Sequence, residues 1–407
     1  MKPLRRRSAF ALGALAFLAV FLDVRISGSS RGDFRVDEAY KISETPFLEL
    51  WMRGDFHHPA WFDFIADRFN PPVGKYAFGA AILSRGQSLP PLPTLGVQNP
   101  SIPPLYSEEL SAPYRPYLPA ARSVSTFSVA LTAALLTTIL ARYHGWLAAV
   151  IAFALFVLEE VTRAFWATAV FDPLFALFFM AAIALMVVLA AAPSTRRVVL
   201  ASIGVGITTA LAFQTRLNGI YAFIVAIAFL WITLRHAIRK AVLATLLTTA
   251  AFVGTTLLLN PYYWSTPSRP IEPFSSDRGP MRPITRLVQQ KKDLEFAASF
   301  VQPRRGEGRT PLEKVEYLFV TRDLPGFFLR LSAMLSVVVL LVRRNFVAPP
   351  MRIAVLMSLA IVATMVLTLP MPWTRYLFVD LGPLALMAGF TTSEGWRALT
   401  RRYTAAP

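Results

Sequence analysis

Residues 1–22, "MKPLRRRSAFALGALAFLAVFL", place a basic block directly before a long uncharged run, and that order decides how the rest of the chain is read. Similar runs recur along all 407 residues, which are 55% hydrophobic with a mean hydropathy of +0.49. Those values exclude a water-soluble domain of this length. The chain is expected to be an all-α polytopic integral membrane protein. Measured against a span of about 20 residues, runs beginning near residues 8, 122, 145, 169, 197, 217, 241, 325, 353 and 376 give about ten transmembrane helices. The run at 145 is marginal in length, and those at 325 and 376 carry Arg330 and Asp380. The opening also fits a signal peptide, with Ser27, Gly28 and Ser29 as a small-residue cleavage site. A basic first anchor is the preferred reading, because polytopic chains commonly begin that way.

Charge then orients the helices. The formal net charge of +17 would point to nucleic acid in a soluble protein, but here it tests the tendency of basic loops to stay cytoplasmic. With residues 2–7 inside, strict alternation puts Arg142, Arg196, Arg197, the segment 235–240, Arg343, Arg344 and the segment 397–402 inside as well. Every short basic connection then falls on one side. Segments 159–168, 214–218 and 370–375 fall outside, with a first outer loop at 27–120 and a second large one at 260–324. The whole of 1–407 reads as one transmembrane domain. The first loop is too rich in proline, as in "PPLPTLGVQNPSIPPL", to be a compact domain of its own. Its earlier part, "EAYKISETPFLELWM" and "HPAWFDFIADRF", mixes aromatic and charged residues as amphipathic helices at a membrane interface do.

The polar residues of chemical interest lie in the outer segments. "RVDEAY" at 35–40 carries the adjacent carboxylates Asp37 and Glu38. Beside a hydrophobic boundary such a group loses solvation and can act as a base toward a hydroxyl. From the pair alone, a solvated couple at a helix N-terminus is the stronger reading. Asp172 is a lone acid in "RAFWATAVFDPLFALFFM", where an ionisable group is costly and therefore a functional candidate. Lys75 in "NPPVGKY", Arg163, Arg216 and Arg375 are outer cations that the basic-inside tendency does not explain, and they suit an anionic partner. For Arg216 and Arg330, snorkelling to lipid headgroups is an equally good account. There is no GxGxxG, no Walker loop and no Asp-x-Asp, so no nucleotide device is recognisable. The two Arg-Gly-Asp tripeptides read as chance turns, and adjacent His57 and His58 make a poor metal site. The chain has no cysteine, which excludes disulfides and thiolate ligands.

These residues, in order, resemble a known family. "DEAYKI" (37–42), Arg53-Gly54-Asp55-Phe56 with His58-Pro59, "NPPVGKYAFG" (70–79), "FDPL" (171–174), "RLNG" (216–219), "NPYYW" (260–264) and "RYLFVDLGPLALMAGF" (375–390) together look like the lipid-carrier-dependent glycosyltransferases of the GT-C class. The nearest branches are the protein O-mannosyltransferase-like and aminoarabinose-transferase-like enzymes, and the likeness runs from about residue 8 to residue 390. It implies the GT-C fold and transfer of a hexosyl or pentosyl group, with inversion, from a polyprenyl-phosphate sugar to a glycan, lipid or protein acceptor. Asp37 would deprotonate the acceptor hydroxyl, Glu38 would shape the site, and Asp172 matches an acidic position of the second outer loop. Lys75 and Arg375 with Tyr376 would hold the phosphate, and Arg163 is counted with them. The chain departs from the pattern at Asn70, where His is common in the mannosyltransferases, and at Asp380, where proline is frequent. Within residues 1–407, neither the extra soluble domain of the mannosyltransferases nor the large C-terminal periplasmic domain of the aminoarabinose branch is expected. No cofactor is required by the pattern, a divalent metal is left open, and nucleic acid is not an expected partner; membrane lipids are. The excess of arginine over lysine hints at GC-rich coding, hence a bacterial cytoplasmic membrane with the site on its outer face. A transporter of an anionic or lipid-linked substrate is the main alternative, but such proteins usually show polar breaks in two halves of an internal repeat, and no repeat is visible.

Overall fold

The computed structural model describes residues 3–26, 36–62, 71–92, 112–265, 285–286, 323–343, 345–368 and 374–404. Every regular element among them is helical. The first long helix, α1 (Arg6–Ile26), is followed by three short ones, α2 (Val36–Ser43), α3 (Phe47–Met52) and α4 (Pro72–Leu83). Then come α5 (Leu118–Tyr143), α6 (Trp146–Leu158), the short α7 (Glu160–Phe165), α8 (Asp172–Ala191), α9 (Thr195–Phe213), α10 (Ile220–Leu234) and α11 (Ile238–Leu259). The last three are α12 (Leu324–Arg343), α13 (Pro349–Thr368) and α14 (Thr374–Thr404).

Eight of the described helices are long and apolar enough to cross a membrane, against the ten expected. The difference lies in α6, which has only 13 residues, and in α14, which does not meet the same criterion. The chain is an integral membrane protein. At its centre runs α8, whose sequence is apolar on all sides; it packs against α5, α9, α13 and α14. On the periphery, α1 lies along α5 through the stripe Ala9, Gly13, Ala16, Val20 and Val24. The approach is close enough that a Cβ on Gly13 would stand 2.1 Å from Thr138 Oγ1, as small residues permit at membrane helix crossings.

Cross-links sort the helix ends into two groups. At one end Leu4 N–H donates to Ala141 O at 2.9 Å, Lys240 Nζ to Pro193 O at 3.0 Å, and Arg397 to His144 O. Glu394 accepts there from Arg343 and Arg397. Burial, with Arg397 beside it, pushes the His144 imidazole down to about 3, so its 3.4 Å approach to Glu394 is a contact of a neutral ring rather than an ion pair. At the opposite end α2, α3 and α4 cover the bundle. The basic connections therefore gather at one end, as alternation requires. A reporter fused after Lys240 is expected to report cytoplasm and one inserted at Gln98 the outer side; both on one side would break this topology.

Candidate active site at the capped end of the bundle

Proline shapes the entry to α4. Pro71 takes φ −55° and ψ 155°, the extended conformation favoured before a second proline, and Pro72 opens the helix where no N–H is needed. Val73 N–H donates to Gln214 O at 2.9 Å, and Tyr76 Oη donates to Leu259 O at 2.8 Å, so α4 is fastened across the ends of α9 and α11. Gly74 faces Phe171 so closely that a Cβ would lie 2.4 Å from the ring. Phe171 also meets Phe78 at a centroid distance of 5.1 Å and lies under Lys41 Nζ at 4.9 Å. One ring thus joins α2, α4 and the start of α8.

Asp37 and Glu38 occupy the first turn of α2, with Lys41 in its last, the charge order a helix dipole favours. Adjacent helical residues point about 100° apart, and the two carboxylates separate accordingly. Asp37 is exposed, whereas Glu38 is fully buried. Arg122 Nε and Nη2 donate to the two Glu38 oxygens, each at 2.8 Å, and Ala169 N–H donates to Oε1 at 2.7 Å. Glu38 therefore ties α2 to α5 and to the link before α8.

The remaining residues named from the sequence are distributed unevenly. Asp172 is buried in the first turn of α8, and its Oδ2 accepts from Arg216 Nη2 at 2.8 Å. Lys75 is fully buried on α4, its Nζ 4.1 Å from the centroid of Phe47, a geometry that favours a cation over the ring face. Arg163 is exposed on α7. The side chains of Arg375 and Tyr376, and all of Asn70, lie outside the described residues. Among the described residues no group of three His, Asp or Glu is placed to hold a metal ion. Arg53-Gly54-Asp55 is a turn with Gly54 at φ +70°, and His58 Nδ1 accepts from Ala60 N–H at 3.1 Å.

Snorkelling is corrected for both arginines it was offered to explain. Arg216 binds Asp172, and Arg330 Nη2 binds Glu159 Oε1 at 3.0 Å with both partners buried. Burial pushes the Glu159 carboxyl up, and the Arg330 charge opposes that shift. Residues 41–48, within "EAYKISETPFLELWM", are buried in protein contacts. Arg122, Lys41, Gln214 and Asn260 were not singled out from the sequence. A lone cation heading an apolar run was the signal available for Arg122.

The capped end thus holds an exposed carboxylate beside buried cations. Such a set can accept a proton from a hydroxyl and stabilise an anionic leaving group. No family model and no curated protein matches the sequence. Among solved structures, the chain is similar to ArnT from Cupriavidus metallidurans bound to undecaprenyl phosphate, with TM-score 0.58 and 16% identity over 96% of this chain and 63% of that one. The apo state of the same protein matches with TM-score 0.55, 13% identity, 95% of this chain and 62% of that one. AglB from Archaeoglobus fulgidus, in complex with an inhibitory peptide and a dolichol-phosphate, matches with TM-score 0.50, 14% identity, 99% of this chain and 52% of that one. The fold is that of the GT-C class, and the chain spans less than two thirds of the length of these solved structures.

Proposed function

We propose that this protein is a membrane glycosyltransferase that moves a hexosyl or pentosyl group from a polyprenyl phosphate to an acceptor hydroxyl on the extracytoplasmic face. The observation that carries the reading is the fully buried Lys75, held by an aromatic ring in the helix that caps one end of a GT-C bundle. An ammonium withdrawn from water at that place suits a phosphate. ArnT, of the same fold, binds undecaprenyl phosphate.

In this reading Asp37, the exposed member of the pair, takes the proton of the acceptor hydroxyl as its oxygen bonds to the anomeric carbon. The bond from that carbon to the phosphate oxygen breaks on the opposite face, so configuration inverts and polyprenyl phosphate leaves with the electron pair. Lys75, with Arg375 and Tyr376, offsets the charge growing on the phosphate. Arg163, exposed on α7, draws the anionic headgroup toward the site. Glu38 and Asp172 fix the two elements between which the sugar would lie. The acceptor is a glycan, lipid or protein that reaches this face.

Lys75→Ala is expected to weaken use of the lipid donor by about 1.5 to 3 kcal/mol, the scale of one charge-assisted contact. Steady-state kinetics with the donor varied at fixed acceptor would measure it. Unchanged donor KM and kcat in both Lys75→Ala and Arg375→Ala would remove the phosphate assignment.

A further inference from the structure

Three aromatic side chains from three separate segments meet at the C-terminal end of α11. A helix leaves its last carbonyl groups without partners of its own. Here Trp264 Nε1 donates to Leu257 O at 2.8 Å, Trp51 Nε1 to Leu258 O at 3.1 Å and Tyr76 Oη to Leu259 O at 2.8 Å. The polar end of each ring is thereby turned into the protein. Trp51 and Tyr76 lie 5.8 Å apart, centroid to centroid, and Phe56 meets Trp264 edge to face at 5.2 Å. Trp264 nevertheless remains 46% exposed, and Phe56 is half-buried beside it.

Tryptophan at a membrane surface is ordinarily an anchor, with its ring in the apolar layer and its N–H in the wet one. Trp264 spends its N–H on a backbone carbonyl instead, so the ring has only its apolar surface left to offer. Polar groups stand at the edge of that surface, because Phe56 is flanked in its turn by exposed Asp55 and His57, with Arg53, paired to Glu49, close by in sequence. The turn is held firmly. Gly54 N–H donates to Trp51 O at 3.1 Å, Asp55 N–H to Leu50 O at 3.0 Å, and Trp61 Nε1 to Asp55 O at 2.9 Å. Trp61 in turn packs on Phe47, the ring under Lys75, so the exposed rings are continuous with the phosphate lysine.

A rigid aromatic surface with a polar edge matches a pyranose, whose C–H face suits the negative face of a ring and whose hydroxyls suit charged neighbours. The donor's phosphate belongs at the buried Lys75, which leaves the exposed rings to the partner that arrives from outside. We propose that Trp264 and Phe56, with the turn 53–58 as rim, form a platform that seats a sugar unit of the acceptor, so that the acceptor is a glycan. The inference rests on the glycosyltransferase reading above and names its acceptor class.

The test measures transfer by purified protein in vesicles, with a radiolabelled sugar on undecaprenyl phosphate as donor and a cell-envelope fraction as acceptor. Trp264→Ala should raise the apparent acceptor KM about three- to tenfold, the scale of one aromatic contact, and leave the donor KM within about twofold. Phe56→Ala, which keeps all three bonds to α11, should act in the same direction. Trp264→Phe keeps a ring but loses the bond to Leu257 O, so it should recover most of the acceptor affinity if the ring face matters and none if the helix cap does. Periodate, which opens rings bearing adjacent hydroxyls, should destroy the acceptor when the fraction is treated and quenched before donor is added; protease should not. An unchanged acceptor KM in Trp264→Ala and Phe56→Ala, no recovery in Trp264→Phe, or an acceptor destroyed by protease and spared by periodate would overturn the platform while leaving the glycosyltransferase reading intact. Absence of any transfer by the wild-type protein would overturn both.

Discussion

Asp37→Asn is expected to lower turnover at least about a hundredfold while lipid-donor affinity survives. General-base catalysis typically contributes 10² to 10⁴, and asparagine keeps the size of the side chain but cannot take the proton. The placement of Asp37 is what separates it from its neighbour. It is exposed at the first turn of α2, with its side chain reachable by an acceptor, whereas Glu38 is committed to Arg122 and Ala169. The loss should appear in kcat and in kcat/KM alike, the pattern of an interaction made only in the transition state. Full turnover in a folded, donor-binding Asp37→Asn protein would reduce the acidic pair to a helix N-terminal feature.

Arg122→Leu is expected to destabilise the protein by about 3 to 5 kcal/mol, because it strands the Glu38 carboxylate in a dry site. Its fork satisfies both Glu38 oxygens at 2.8 Å, and the side chains are 3% and 0% exposed, so solvent cannot replace the contact. The double variant Glu38→Leu with Arg122→Leu should regain most of that stability, since an apolar pair of similar volume is often as stable as a buried ion pair. Thermal unfolding in detergent, followed for both single variants and the double, gives the comparison. Activity should stay low in the double variant, because the tie from α2, which carries Asp37, to the link before α8 is gone. An Arg122→Leu protein as stable as the wild type would contradict the buried pair.

Much of the architecture was legible because membranes impose one-dimensional rules. Apolar run length located the long helices, and the position of Arg142, Arg343 and Arg397 separated the two ends, an order the contacts of Leu4, Pro193 and Glu394 reproduce. The count was less legible. Helix α6 is shorter than a free-standing span and packs against α5 and α14, a tertiary circumstance that no hydropathy window contains. Pairing was the least legible. Arg122 and Glu38 are 84 positions apart, Arg330 and Glu159 171 apart, and nothing local to either residue announces its partner. Snorkelling was a fair account of Arg216 and Arg330 only until packing brought Asp172 and Glu159 against them. The proline pair before Lys75 was readable as a helix start, but the burial of that lysine depends on Phe47, which arrives from α3. Gln214 gave no signal because amides in short turns are common, and Asn260 entered only as the first residue of "NPYYW"; their orientation acquires meaning only from the bonds to each other and to Tyr262.

The most direct measurement reconstitutes the purified protein in vesicles with a radiolabelled sugar on undecaprenyl phosphate and a cell-envelope acceptor fraction, and follows both products. The account predicts that label passes to the acceptor while undecaprenyl phosphate is released in equal amount, and that Asp37→Asn vesicles bind the lipid yet do neither. If label instead crossed the bilayer still attached to its lipid, at the same rate with Asp37 or Asn at that position, the protein would be a carrier and the glycosyltransferase reading would be wrong.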